Sequence, residues 1–123
     1  MAAPDLNSPT KVEGKVAFTA CTSTNSVTIL SNAAASSACL RISSLMVSNV
    51  DGTNAADATV KVYNAASGGT AFSIASTLNV PADSTVVVIG RDNAIYLEED
   101  RRVEVQASAA DDLEVVCSYE EVT

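Results

Sequence analysis

The chain is a series of short apolar runs separated by clusters of Gly, Pro, Asn, Asp and Ser, and within the runs apolar and polar residues alternate with a period of two. Alternation is clearest toward the C-terminus. Val103 and Val105 fall on one face and Glu104 and Gln106 on the other, while Leu113, Val115, Cys117 and Tyr119 oppose Glu114, Val116, Ser118 and Glu120. In Ala58-Thr-Val-Lys-Val-Tyr the same rule points Val60 and Val62 inward and Lys61 to water. Nine strands are expected, over 15–21, 26–31, 38–50, 57–65, 71–80, 84–90, 94–97, 102–108 and 113–122. Val86-Val-Val-Ile does not alternate, so it is expected as a central strand covered on both faces.

Turn chemistry fills the gaps. Asp51-Gly-Thr-Asn and Gly68-Gly69 can supply positive φ, and Pro81-Ala-Asp-Ser presets a type I turn. Ala33-Ala-Ala-Ser-Ser-Ala is short and lacks a capping box, so it is expected as a loop. Many short strands with tight turns predict an all-β domain, an antiparallel β-sandwich or jelly-roll-like barrel over residues 15–123. Residues 1–14 follow neither period and are expected to form an extended N-terminal arm that becomes ordered against a neighbour.

Composition narrows the function. With 123 residues there is room for one domain and its core. The apolar residues lean on Ala and Val, with five aromatics (Phe18, Tyr63, Phe72, Tyr96 and Tyr119) expected mostly in the core. Net charge is −8, and nine acids crowd residues 98–123 against Arg101 and Arg102. A surface of that sign repels phosphate backbones and anionic lipid, so neither nucleic acid nor a membrane surface is an expected partner. No stretch approaches the roughly 18 apolar residues of a membrane-spanning helix, and the N-terminus has no basic or apolar leader, so synthesis in a cytoplasm is expected. Cys21, Cys39 and Cys117, an odd number without paired spacing, are expected as reduced core residues.

The residues offer little chemistry. Without His the usual base of a nucleophilic dyad or triad is missing, and no Ser-x-x-Lys motif replaces it. Three scattered Cys without a C-x-x-C pair do not build a zinc site, and Gly68-Gly69 lacks the rest of a phosphate loop. Glu98, Asp100, Asp111 and Asp112 could meet at one end of the sheet, but a glycosidase also needs aromatic platforms, which are scarce. The chain is expected not to be an enzyme, with no cofactor. Asp51, Asn54 and Asp57 are weak calcium candidates, since the same residues suit an ordinary hairpin.

Three segments carry a resemblance: Ser48-Asn-Val-Asp-Gly-Thr-Asn-Ala-Ala-Asp-Ala-Thr-Val-Lys-Val-Tyr, Leu78-Asn-Val-Pro-Ala-Asp-Ser-Thr-Val-Val-Val-Ile, and Ile95-Tyr-Leu-Glu-Glu-Asp with the closing Leu113-Glu-Val-Val-Cys-Ser-Tyr-Glu-Glu-Val. From about residue 40 onward the chain resembles small virion structural proteins of tailed bacteriophages, notably marine and cyanobacterial phages. The Gly expected there between Glu99 and Asp100 is missing, so that corner should turn differently. The resemblance implies a capsid decoration (cement) protein on the virion exterior, with the major capsid protein as partner and a homotrimer as the expected oligomer. A neck, tail or fibre-associated component is the alternative within the particle, and a calcium- or glycan-binding β-module the alternative outside it. For the decoration role the candidate partner-binding residues are Pro4, Leu6, Pro9 and Val12 of the arm and the acidic Glu98, Glu99, Asp100, Glu120 and Glu121.

Overall fold

The structure is a computed structural model that describes residues 3–123; the first two residues of the expected arm lie outside the described residues. Nine strands follow in order: β1 (Val12–Ala20), β2 (Val27–Asn32), β3 (Cys39–Asn49), β4 (Ala56–Tyr63), β5 (Ala71–Val80), β6 (Thr85–Ile89), β7 (Ile95–Leu97), β8 (Arg101–Ala107) and β9 (Leu113–Val122). A 3₁₀ turn, Arg91–Asn93, precedes β7. Each strand falls on one of the nine expected runs, with β1 beginning three residues earlier than expected.

All pairings are antiparallel. Sheet one runs β1-β9-β3-β6, with the short β7 also pairing β3; sheet two runs β2-β8-β4-β5. The chain crosses between sheets repeatedly, and the two four-strand orders are those of a jelly roll, an arrangement that buries one face of each sheet against the other. The inward residues are those the alternation selects: Val60, Val103, Val105, Leu113, Val115 and Cys117 are fully buried, joined by Ile42, Leu45, Val47, Ile89 and Leu97. Each buried Val or Leu contributes about 1.5–3 kcal/mol relative to exposure.

The core differs from expectation in one respect, because none of its buried hydrophobic residues is aromatic. Phe18 (74% exposed), Phe72 and Tyr96 stand on the surface, and Tyr63 stacks under Arg102. Two sheets close on each other through Val, Ile, Leu and Ala, and of the five rings Tyr119 alone packs, half-buried, against that core.

The expectation for β6 is overturned too. It is an edge strand whose ladder partner is β3; Val87 is exposed while Val86 and Val88 are half-buried. The strand does alternate, and Val occupies both faces because Val87 continues an apolar strip on the outside. Two turns also differ. Ser84 N–H donates to Pro81 O at 3.2 Å with Asp83 at φ 57°, which is type II geometry rather than type I. Gly68 and Gly69 do take positive φ, but Asp51–Asn54 does not; there the Asp51 side chain accepts from Thr53 N–H and Asn54 N–H and closes the loop itself.

The arm is shorter than the sequence suggests. Val12, Glu13 and Gly14 already pair with Val122, Glu121 and Glu120, and Thr10 and Lys11 N–H groups donate to Thr123 O. Ahead of them, Asp5 to Ser8 folds into a turn, with Ser8 N–H bonded to Asp5 O and Asn7 N–H to the Asp5 carboxylate. The part ahead of these contacts is therefore residues 3–9, in which Leu6 is exposed while Pro4 and Pro9 are half-buried.

Candidate functional site

Sheet register gathers the candidate partner-binding residues at one end of the sandwich. Leu97, Leu40, Glu121 and Glu13 lie side by side across β7, β3, β9 and β1, and the next row is Cys39, Val122 and Val12. Glu98 follows directly after Leu97 and faces Cys39, whose thiol is pushed up by burial and then by the Glu98 charge. Glu98, Glu120, Glu121 and Val12 thus share the end at which the segment holding Pro4, Leu6 and Pro9 enters β1.

The acids there are mostly engaged. Glu121 meets Lys15 at 3.1 Å, and this contact is the main cause of the upward shift of Lys15; Glu120 meets Arg41 at 3.1 Å and Glu98 meets Arg101 at 3.0 Å. Asp100 accepts from Ala66 N–H at 2.9 Å, so it ties the β7–β8 corner to the loop after β4. Asp100 is also at φ 59°, taking the left-handed conformation that the missing Gly would have supplied. Glu99 is the exception: its Oε1 is buried without a hydrogen-bond partner. Sequence reading missed Lys15 and Arg41, whose role depends on cross-strand register over the length of the chain.

The opposite end holds the calcium candidates. Asp51 Oδ1 accepts from Thr53 N–H at 2.7 Å and Oδ2 from Asn54 Nδ2 at 3.3 Å; these bonds hold the carboxyl below its usual range. Asp112 is pushed up, by burial first and then by the neighbouring Asp51 charge. Asp57 sits on β4, where its Oδ1 accepts from Asn79 Nδ2. Among the described residues no group of three or more His, Cys, Asp or Glu is placed to hold a metal ion. Asp51 and Asn54 share one loop and serve its closure, while Asp57 belongs to a different strand surface.

Two shallow depressions mark the sheet faces. One, about 190 Å³, is lined by Asp57, Thr59, Thr77 and Gln106 among others on sheet two; the second, about 320 Å³, lies beside Phe18 on sheet one. Neither juxtaposes a nucleophile with a base.

All three thiols are buried, free and shifted upward by burial, Cys117 to about 11. Since the thiolate is the reactive form, the native protein should leave an aromatic disulfide reagent unreacted at neutral pH and titrate three thiols in denaturant. Immediate release of one equivalent from native protein would contradict this packing.

The arrangement defines a single-domain jelly roll with an arm and two acidic ends. No protein-family model matches the chain, and no curated protein matches it. A solved chain from Bacillus endospore appendages, described as a novel family of disulfide-linked pili, shares the fold at a TM-score of 0.56 and 14% identity, covering 100% of this chain and 96% of that one.

Proposed function

We propose that this chain is a structural subunit of a tailed-bacteriophage particle, a decoration protein that binds the outside of the major capsid shell and ties adjacent capsomers together. The observation that carries the reading is the arm end, where residues 3–9 lead into β1 at the same end of sheet one as Glu98, Glu120 and Glu121. A short peptide arm next to an acidic, ion-paired surface suits docking onto a basic protein surface, with Leu6 and Pro4 adding apolar contact. The resemblance to virion proteins points the same way, and the endospore-appendage neighbour is itself described as forming pili, so a related double sheet serves as a building unit there.

That neighbour also favours a second reading, a fibre- or tail-associated component. Copy number separates the two: hundreds of copies per particle support decoration, about a dozen support a neck or tail position, and absence from particles rejects both. Deleting residues 1–9 stops short of β1 and of the Thr10–Thr123 contact, so melting should be unchanged. Capsid affinity of the truncated protein should fall at least about tenfold and, for the full chain, weaken as salt rises. Equal binding by the truncated protein would remove the arm from the interface.

A further inference from the structure

We propose that the outer face of sheet one is a self-association surface, on which two copies of this chain pair face to face about a twofold axis. Register places Phe18 beside Val116, Val116 beside Met46 and Met46 beside Val87, one apolar row crossing β1, β9, β3 and β6. Val16 flanks it, next to Ser118. Phe18 is 74% exposed and Val87 58%, on a chain whose other surface is rich in acids.

Charge selects the occupant. On this face the acids are Glu114 and Glu120, and Glu120 is paired with Arg41, so a chain of net charge −8 presents here about one unbalanced charge. Two copies repel over most of their surfaces, and on this face Glu114 is the one strand acid without an ion pair, so approach here sets the fewest carboxylates against each other. A basic partner would be drawn to the acidic ends, whereas a neutral apolar face matches another neutral apolar face.

Shape agrees. The 320 Å³ depression is lined by Phe18, Thr19, Ala20, Glu114, Val115 and Val116, so the projecting ring and a socket large enough for a ring belong to one patch. A knob beside its own socket is what an isologous contact requires, because the axis exchanges them: each Phe18 enters the depression of the other copy. The four strands, of nine, ten, eleven and five residues and about 4.8 Å apart, give roughly 550 Å² per copy. That is below the roughly 800 Å² per partner of a standard stable interface, so the pairing is reversible and concentration-dependent. The inference does not depend on the particle assignment.

Sedimentation equilibrium of the full chain tests it, from about 1 µM to about 1 mM at low and high salt. The 12.6 kDa monomer should convert reversibly to a species of twice that mass, more readily at high salt because the net charge is then screened. Phe18→Lys and, at the other end of the row, Val87→Lys should each raise the dissociation constant at least about tenfold with the melting temperature unchanged, since both side chains are already exposed. Phe72→Lys, equally exposed but on sheet two, should dimerise normally. A monomer throughout, a trimer, or dimerisation indifferent to both lysines would overturn the proposal. A monomer whose Phe18→Lys variant loses only capsid binding would assign the face to the shell instead.

Discussion

Val103→Asp should yield no cooperatively folded protein at 25 °C. Val103 is fully buried on β8, flanked in register by Leu30 of β2 and Val62 of β4, so its side chain enters the middle of the core. A carboxylate there has no partner, and an unpaired buried charge costs many kcal/mol or forces protonation, which still leaves a polar group among methyls. A loss of at least about 4–5 kcal/mol is comparable to the whole stability of a marginal domain. The matched control is Gln106→Glu on the same strand but the opposite face, expected within about 0.5–1 kcal/mol. Circular dichroism and thermal melting decide the matter: a soluble Val103→Asp protein with a native melt would mean that β8 presents its other face to the core.

Arg102→Met should cost about 2–4 kcal/mol while preserving most of the volume. Arg102 Nε donates to Glu104 at 2.6 Å, Nη1 donates to Ala65 O at 2.7 Å and Gly68 O at 2.8 Å, and the guanidinium stacks 3.7 Å from the Tyr63 ring centroid. One side chain thus holds the β4–β5 loop against β8. Burial alone would raise Glu104, but hydrogen bonds from Arg102 and Ser26 outweigh it and hold its carboxyl below the ordinary 4.5. A depressed carboxyl stabilises the fold above its unfolded value, and that contribution is lost as pH falls below about 4.5 through the folded value. The wild type should therefore lose stability across this acid range, and Arg102→Met should lose less of it over the same range, having surrendered the main charged partner already. Denaturant melts at pH 7 and pH 3.5 measure both effects; Arg102→Lys should fail to restore the loop, because an ammonium cannot reach Glu104 and two carbonyls in a planar fork. Equal pH dependence in wild type and Arg102→Met would show that Glu104 does not need this arginine.

The strands were legible because alternation is local: Val103, Val105, Leu113 and Val115 announce their buried face within a few residues. What depends on pairing between distant strands was not. The edge position of β6 is fixed by its place beside β3, and the outer row from Phe18 to Val87 exists only once the register of four strands is known. Asn32 and Asn49 are similar cases. Each is buried and donates to two carbonyls, Ala38 O and Leu97 O for one, Asn54 O and Val80 O for the other, and nothing in the local pattern marks them as corner pins. Of the candidate site, the acids and the arm could be named from the residues, but their meeting at one end follows from β9 lying between β1 and β3.

That central placing of β9 also governs how the chain can fold as it is made. Lys15 and Glu121, 106 positions apart, are bonded neighbours, and β3 likewise needs β9 along nearly its full length. Sheet one is therefore missing its middle until the last strand leaves the ribosome. Sheet two, whose β2, β4, β5 and β8 are all translated earlier, has its partners available first. During that interval β1 and β3 expose apolar side chains and unpaired edges, so nascent chains on one message are open to strand exchange with each other.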